Sequence, residues 1–263
     1  MPSPVTLRAR HRAGLSLFSL DDATARGADV VVTTRAGGVS PPPWDSLNLG
    51  DHVGDEPERV AENRRRVAAA MGVEAARLVI ARQVHGRSVL DLDEWRGEPL
   101  EGDALVTTRA DLAVAVLVAD CVPLLVVDDE RLAVAHAGWR GLADGVVAAT
   151  LAHFAWPERV RVVLGPHISP ARYQVGPEVA ERFADIPDAV VPDEGDRRRL
   201  DLAAVATHQL LDHGVTAEHI SIASAVTDDG TVFFSDRAAR PCGRFALVAR
   251  RRPYDSRGKE GSP

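Results

Sequence analysis

The sequence predicts a single-domain α/β sandwich with a mixed β-sheet covered by helices, and three observations carry that expectation. The chain has 263 residues, 45% of them hydrophobic, enough to bury a sizeable core. The runs 113–118 and 124–127 are apolar throughout instead of alternating, which marks strands covered on both faces. Beyond His136 helices and strands alternate irregularly, which fits a mixed sheet better than a doubly wound parallel one.

Taken in order, the β-branched segment 29–34 ends at Arg35-Ala36-Gly37-Gly38 and reads as a strand entering a turn. Pro41, Pro42 and Pro43 hold the next stretch in a loop. Residues 56–71 carry Val60, Val67 and Met71 between charges, the pattern of a surface helix, and Gly72 stops it. Short β-rich runs follow at 78–84, 103–107, 112–118, 123–128 and 131–136. After a glycine-rich turn the expected order is helix 143–154, strand 159–164, a Gly/Pro loop, helices 177–184 and 200–213, and strands at 219–223, 231–234 and 244–249. The domain is placed at 29–250, after an N-terminal segment 1–28 and before a charged, Gly/Ser/Pro-rich tail 251–263 that reads as disordered.

The net charge of −7 argues against a protein that binds nucleic acid by broad phosphate neutralisation. Lys259, in the tail, is the single lysine among 31 basic residues, which excludes Schiff-base, pyridoxal-phosphate and P-loop lysine chemistry. Cys121 and Cys242 do not make a disulfide framework, so a reducing compartment is expected. No signal-peptide pattern and no long apolar run is present, and a cytoplasmic location is expected without membrane contact.

Three residues at expected strand ends are candidates for metal chemistry. His85 lies in Arg82-Gln83-Val84-His85-Gly86, Cys121 in Ala119-Asp120-Cys121-Val122-Pro123, and His136 ends Leu132-Ala133-Val134-Ala135-His136. Two histidines and a cysteine suit Zn2+ with a fourth position open, the pattern of a catalytic site. The same residues also read as a metal-free nucleophile, Cys121 with His85 or His136 as base, or as a small buried hydrophobe and two satisfied histidines. The chain has no His-x-His pair, which disfavours a copper array.

For anions, Gly138-Trp139-Arg140-Gly141 joins a strand to a helix and offers Arg140, although most such turns are only connectors. Arg35, Arg237 and Arg244 are further candidates. The segment Gly165-Pro166-His167-Ile168 with Tyr173-Gln174-Val175-Gly176 reads as a pocket wall with an aromatic face or as a rigid crossover. His52 is a polar site residue or a turn stabiliser.

In this order and spacing, Thr33-Thr34-Arg35-Ala36-Gly37-Gly38-Val39-Ser40, Ser46-Leu47-Asn48-Leu49-Gly50, Gln83-Val84-His85-Gly86, Asp103-Ala104-Leu105-Val106-Thr107, Ala119-Asp120-Cys121-Val122-Pro123-Leu124, His136-Ala137-Gly138-Trp139-Arg140-Gly141, Gly165-Pro166, Phe233-Phe234-Ser235 and Gly243-Arg244 resemble the YfiH-like family, also labelled the multicopper polyphenol oxidase (laccase) family. The resemblance spans about 30–249. It implies a YfiH-like α/β sandwich and places the family's metal-binding His, Cys and His on His85, Cys121 and His136, with Zn2+ favoured over copper. It also implies phosphorolysis of adenosine, inosine, guanosine and methylthioadenosine, together with hydrolytic deamination of adenosine.

The expected catalytic set is then Cys121, Asp120, Arg35 and Arg140, and the expected substrate contacts are Arg35, Asn48, His52, Arg140, Tyr173 and Arg244. Gln174 stands where relatives carry Glu, and an amide takes no proton near neutral pH, so Asp120 is the substitute acid or base, or else a group that orients a ligand. Cys242-Gly243-Arg244 replaces a Thr-Gly-Arg. The partners implied are purine nucleosides and phosphate, for a monomer or small homo-oligomer. The rival readings are a copper-dependent polyphenol oxidase, a non-catalytic peptidoglycan-editing partner, and a Cys121 hydrolase.

Overall fold

The structure, a computed structural model, describes residues 2–20 and 26–252. The chain opens with β1 (Ser3–Val5), β2 (Arg8–Arg12), β3 (Leu15–Ser19) and β4 (Ala28–Thr33), then α1 (Pro57–Ala70), β5 (Leu78–Ile80) and β6 (Val89–Asp91). It continues through β7 (Ala104–Thr107), β8 (Ala113–Val118), β9 (Val122–Val127), β10 (Leu132–Ala137), α2 (Trp139–Asp144), α3 (Val146–Leu151) and β11 (Arg161–Leu164). It closes with β12 (Gln174–Val175), α4 (Pro177–Ala180), β13 (Val190–Pro192), β14 (Arg198–Leu200), α5 (Leu202–Asp212), β15 (Ile220–Ala223) and β16 (Phe245–Arg251).

These strands make a mixed α/β fold of two large sheets. One has seven strands in the order β1-β15-β11-β9-β10-β7-β6, the other six in the order β2-β3-β4-β16-β8-β5, and β12-β14-β13 form a small third sheet. Both large sheets are mixed: β5 runs parallel to β8, and β6 to β7, among antiparallel neighbours. The last strand, β16, lies between β4 and β8.

Alternation of side chains sorts the core into three layers. Val114, Val116 and Val118 of β8 meet Leu125 and Val127 of β9 between the sheets, with Val134 and Leu247. The opposite faces point outward. Leu124 and Val126 lie under Val146, Val147, Val205 and Leu210 of α3 and α5, and Ala113, Ala115 and Leu117 lie under Val67 and Met71 around α1. Fully burying each valine or leucine contributes roughly 1.5–3 kcal/mol. The apolar runs 113–118 and 124–127 are therefore covered on both faces as expected, but each has the other sheet on one side and helices on the other.

Several element boundaries depart from expectation. The helix expected at 143–154 is two short helices, α2 and α3, separated by Gly145 in the left-handed region at φ 91°. Helix 177–184 shortens to α4 followed by a 3-10 turn over Glu181–Phe183. The strand expected at 231–234 is irregular loop, because Phe233 and Phe234 both turn inward into the layer between the sheets. Residues ahead of 29, read from sequence as a separate N-terminal segment, supply β1, β2 and β3 to the two large sheets. In the tail, β16 runs to Arg251 and residues 253–263 lie outside the described residues. No helix among the described residues is long and apolar enough to cross a membrane.

The loop 35–50 is tied to α1 by buried polar groups. Asn63 Nδ2 donates to Ser40 Oγ (2.9 Å), Ser46 O (3.2 Å) and Asn48 O (2.8 Å), and its Oδ1 accepts from Val39 N (2.9 Å). Asp55 Oδ2 accepts from Ser40 Oγ and Asn48 Nδ2. Gly38 is obligatory in this loop, since a Cβ there would lie 2.0 Å from the Ser46 carbonyl oxygen. Removing one buried partner leaves the others unpaired, at about 1–3 kcal/mol each. Asn63→Ala is expected to lower stability by roughly 2–4 kcal/mol, read as a lower urea midpoint at unchanged m-value.

Candidate metal centre and active-site cavity

Two chain crossings between the large sheets build the site. Residues 119–121 carry the chain from β8 in the six-stranded sheet to β9 in the seven-stranded one, and residues 81–88 carry it from β5 to β6. Cys121 sits on the first crossing and His85 on the second, while His136 is near the end of β10, beside β9. The ligand atoms of His85, Cys121 and His136 all lie within 4.8 Å of one another. The trio expected from strand-end placement is thus brought together, and it grades from exposed His85 through half-buried Cys121 to buried His136.

Local backbone geometry makes the approach possible. His85 has φ 61° and Asp120 φ 91°, both in the left-handed region, a conformation that costs a side-chain-bearing residue energy and persists where the surroundings enforce it. Gly138 closes the third side, because a Cβ there would lie 2.9 Å from Cys121 Sγ and 3.7 Å from His136 Nε2. The rings of His85 and His136 meet edge to face with centroids 4.7 Å apart.

Asp103, fully buried and immediately ahead of β7, backs the site. It lies 2.9 Å from His136 Nδ1 and accepts from the backbone N–H groups of Val84, His85 and Gly86. Burial would raise its carboxyl, yet these donors outweigh burial and hold it below the usual range. Burial also opposes charge on Cys121 and His136, but their mutual attraction, with the Asp103 hydrogen bond, pulls the thiol down and the imidazole up. A soft, readily ionised sulfur beside two imidazoles is the donor set Zn2+ takes, and the open side leaves a further position.

Above the trio opens a cavity of about 300 Å³. Its lining includes His52, Gln83, Tyr173, Arg140, Arg237 and Arg244. The Arg140 guanidinium lies 4.3 Å from the Trp139 ring centroid, and that of Arg237 5.2 Å from the Tyr173 ring. Arg237 Nη1 donates to the Arg172 and Gln174 carbonyls. Asp236 faces Arg240 and Arg244 across the same wall. His52 is less basic than usual, first from burial and then from the charge of Arg244. Burial pushes the Tyr173 hydroxyl upward, so it stays protonated.

Other residues named from sequence lie elsewhere. The cavity lining does not include Arg35; it donates to the Asp45 and Gly230 carbonyls, pairs with the Asp45 carboxylate and stacks on Phe234, so it braces loops. Asn48 is fully buried, with Nδ2 on Gly50 O and Asp55 Oδ2 and Oδ1 accepting from the backbone N–H groups of Gly50 and Arg244. It therefore positions Arg244 and has no free face for a substrate. Gln174 is held on Asp193, outside the cavity lining. Asp120 lines the cavity, but its carboxylate is committed to Thr227 Oγ1 (2.6 Å) and Arg237 N (2.7 Å), so it fixes the crossing that carries Cys121.

Two contributors stand in segments that carry the family resemblance, but the sequence assigns neither a role. Asp103 opens the segment Asp103-Ala104-Leu105-Val106-Thr107 with nothing to mark its partners. Gln83 pairs both ways with the backbone of Leu117, donating from Nε2 at 2.8 Å and accepting at Oε1 at 2.7 Å, and no sequence signal marks such a pairing across 34 residues.

A family model described as multi-copper polyphenol oxidoreductase laccase matches residues 29–252. The chain is 42% identical over 226 residues to a purine nucleoside phosphorylase of Mycobacterium tuberculosis, covering 83% of this chain and 90% of that protein. It is 40% identical over 230 residues to purine nucleoside phosphorylase YfiH of Escherichia coli, covering 84% and 93%. The crystal structure of YlmD from Geobacillus stearothermophilus matches with a TM-score of 0.88 at 31% identity, covering 95% of this chain and 100% of that one.

The space at Gly138 generates a test of the cluster. In Gly138→Ala the new methyl enters the wedge between Cys121 Sγ and His136 Nε2, displacing donors that a metal needs within a few tenths of an ångström. Secondary structure by circular dichroism is expected to be unchanged, while Zn2+ affinity by chelator competition falls at least about tenfold.

Proposed function

The chain belongs to the YfiH family, the family described as multi-copper polyphenol oxidoreductase laccase, and from that premise we propose that it is a zinc-dependent purine nucleoside phosphorylase with adenosine deaminase activity. The observation that carries the reading is the placement of a three-ligand His, Cys, His cluster in a cavity whose lining also carries Arg140, Arg237, Arg240 and Arg244. The relatives' names, purine nucleoside phosphorylase, point the same way.

Zn2+ held by His85, Cys121 and His136 supplies a Lewis acid toward charge developing on the substrate. The chain's own residues do the rest. Arg140, Arg237 and Arg244 present guanidinium groups for phosphate, whose oxygen attacks C1′ of the ribose as the bond from C1′ to the purine nitrogen breaks and its electron pair leaves with the base. Arginine holds its charge at any working pH and fits phosphate in pairs of hydrogen bonds. Tyr173 offers a flat, uncharged face to a base or sugar. In deamination a water oxygen adds at C6 of adenosine as the bond to the exocyclic nitrogen breaks and ammonia leaves, a step for which Zn2+ held by His85, Cys121 and His136 would supply Lewis-acid assistance.

Copper is the poorer fit. Among the described residues His85, Cys121 and His136 form a single converging group of three His, Cys, Asp or Glu side chains, too few for the array that multinuclear copper chemistry uses.

The test joins metal analysis of the purified protein to incubation with adenosine, with and without phosphate, resolved by chromatography. About one zinc per chain and adenine formed only with phosphate are expected, and inosine reports deamination. Zinc without any product overturns the enzymatic reading, and copper with oxidation of phenols overturns the zinc one. Cys121→Ala is expected to lose both metal and turnover while staying folded; full zinc in that variant removes Cys121 from the ligand set. Arg140→Ala is expected to raise the phosphate KM about ten- to hundredfold, the loss of one charge-assisted contact, with little change in the rate of deamination.

A further inference from the structure

We infer that Asp103 is the positioning residue of the metal centre, a single carboxylate that sets both histidine arms at once; this rests on the metal reading above. Four donors converge on it. Oδ1 accepts from His85 N at 2.9 Å and faces His136 Nδ1 at 2.9 Å, and Oδ2 accepts from Gly86 N at 2.7 Å and Val84 N at 3.2 Å. Its backbone carbonyl accepts from His136 N at 2.7 Å. The side chain is fully buried, so no solvent substitutes for any of these partners.

The polarity of these bonds decides what the ring can do. A carboxylate only accepts, so Nδ1 of His136 must be the donor, and the lone pair of the neutral ring is then on Nε2. Nε2 is the nitrogen that faces the Cys121 side, as the space at Gly138 shows. On the other arm, the three successive N–H groups of 84–86 aimed at one carboxylate hold His85 in its left-handed backbone conformation. A purely structural acid is satisfied by those backbone donors. The ring nitrogen of a metal ligand is the additional partner, and it ties the two arms together.

Asparagine has the same shape but cannot do both jobs. With its oxygen toward His136 and His85 N, its NH2 group confronts the N–H groups of Val84 and Gly86. Turned over, its NH2 group confronts Nδ1 and forces the proton onto Nε2, where the metal must bind. Loss of such an outer partner typically weakens metal binding ten- to hundredfold.

The experiment uses the full chain, stripped of metal and reloaded. Zn2+ affinity is measured by chelator competition for wild type and Asp103→Asn, and the His136 ring nitrogens are observed by long-range proton–nitrogen NMR in the zinc-loaded proteins. Wild type is expected to show Nε2 bound to zinc and Nδ1 carrying a proton, and Asp103→Asn to bind ten- to hundredfold more weakly with that pattern lost or reversed. The wild-type spectrum needs no variant to fold, and Nδ1 bound to zinc there overturns the assignment. Equal affinity and an unchanged ring pattern in Asp103→Asn overturn it too, leaving the metal reading intact. Failure of wild type to bind zinc overturns both together, whether or not nucleosides are turned over.

Discussion

Face-to-face packing of the two large sheets is the constraint from which the rest of the molecule follows. Stacked sheets lie about 10 Å apart, and the chain crosses that gap between β8 and β9 with residues 119–121 alone. Four Cα steps at about 3.3–3.6 Å each cover the distance with little slack. The crossing therefore has few conformations available. Asp120 adopts φ 91° with its carboxylate tied to Thr227 and the Arg237 backbone, and Cys121 emerges in one direction. The longer crossing over 81–88 delivers His85 to the same end, and β10 brings His136 alongside through its pairing with β9.

Two kinds of charge meet at the cavity. The thiol and the imidazoles line it, with Asp103 buried behind them and satisfied by backbone and ring donors. The same lining presents guanidinium groups, two of them held by uncharged partners, Arg140 over Trp139 and Arg237 over Tyr173 and on two carbonyls, while Arg244 lies 3.5 Å from the Asp236 carboxylate. Stacking restrains an arginine without neutralising it, so the wall keeps positive charge to offer. A chain with net charge −7 thus concentrates cationic groups where an anionic ligand would need them.

Much of this was legible in the sequence because it rests on short-range patterns. The unbroken apolar runs of β8 and β9 and the strand-end positions of His85, Cys121 and His136 needed only run length and turn residues to be found. What stayed hidden depends on distant partners. The irregular loop at 231–234 looked like a strand because Phe233 and Phe234 are apolar and adjacent, yet both are anchors between the sheets. Arg35 stands in a glycine-rich motif suited to phosphate, but its guanidinium is spent on Asp45 and Gly230. Asn48 and Asp120 carry polar groups fit for a substrate and are both consumed by the fold. The break at Gly145 follows from its left-handed backbone, which a single glycine inside an apolar helical pattern does not announce.

The position of β16 has a consequence for how the molecule comes into being. The final strand of the sequence is inserted between β4 and β8, so the six-stranded sheet has a gap until the chain is nearly finished. Until then β8 has β5 alone beside it in that sheet, and the layer between the sheets lacks Phe245 and Leu247. A chain that ends before this strand has nothing to join β4 to β8, so the six-stranded sheet closes only when synthesis is nearly complete, and the order of assembly runs against the order of the sequence.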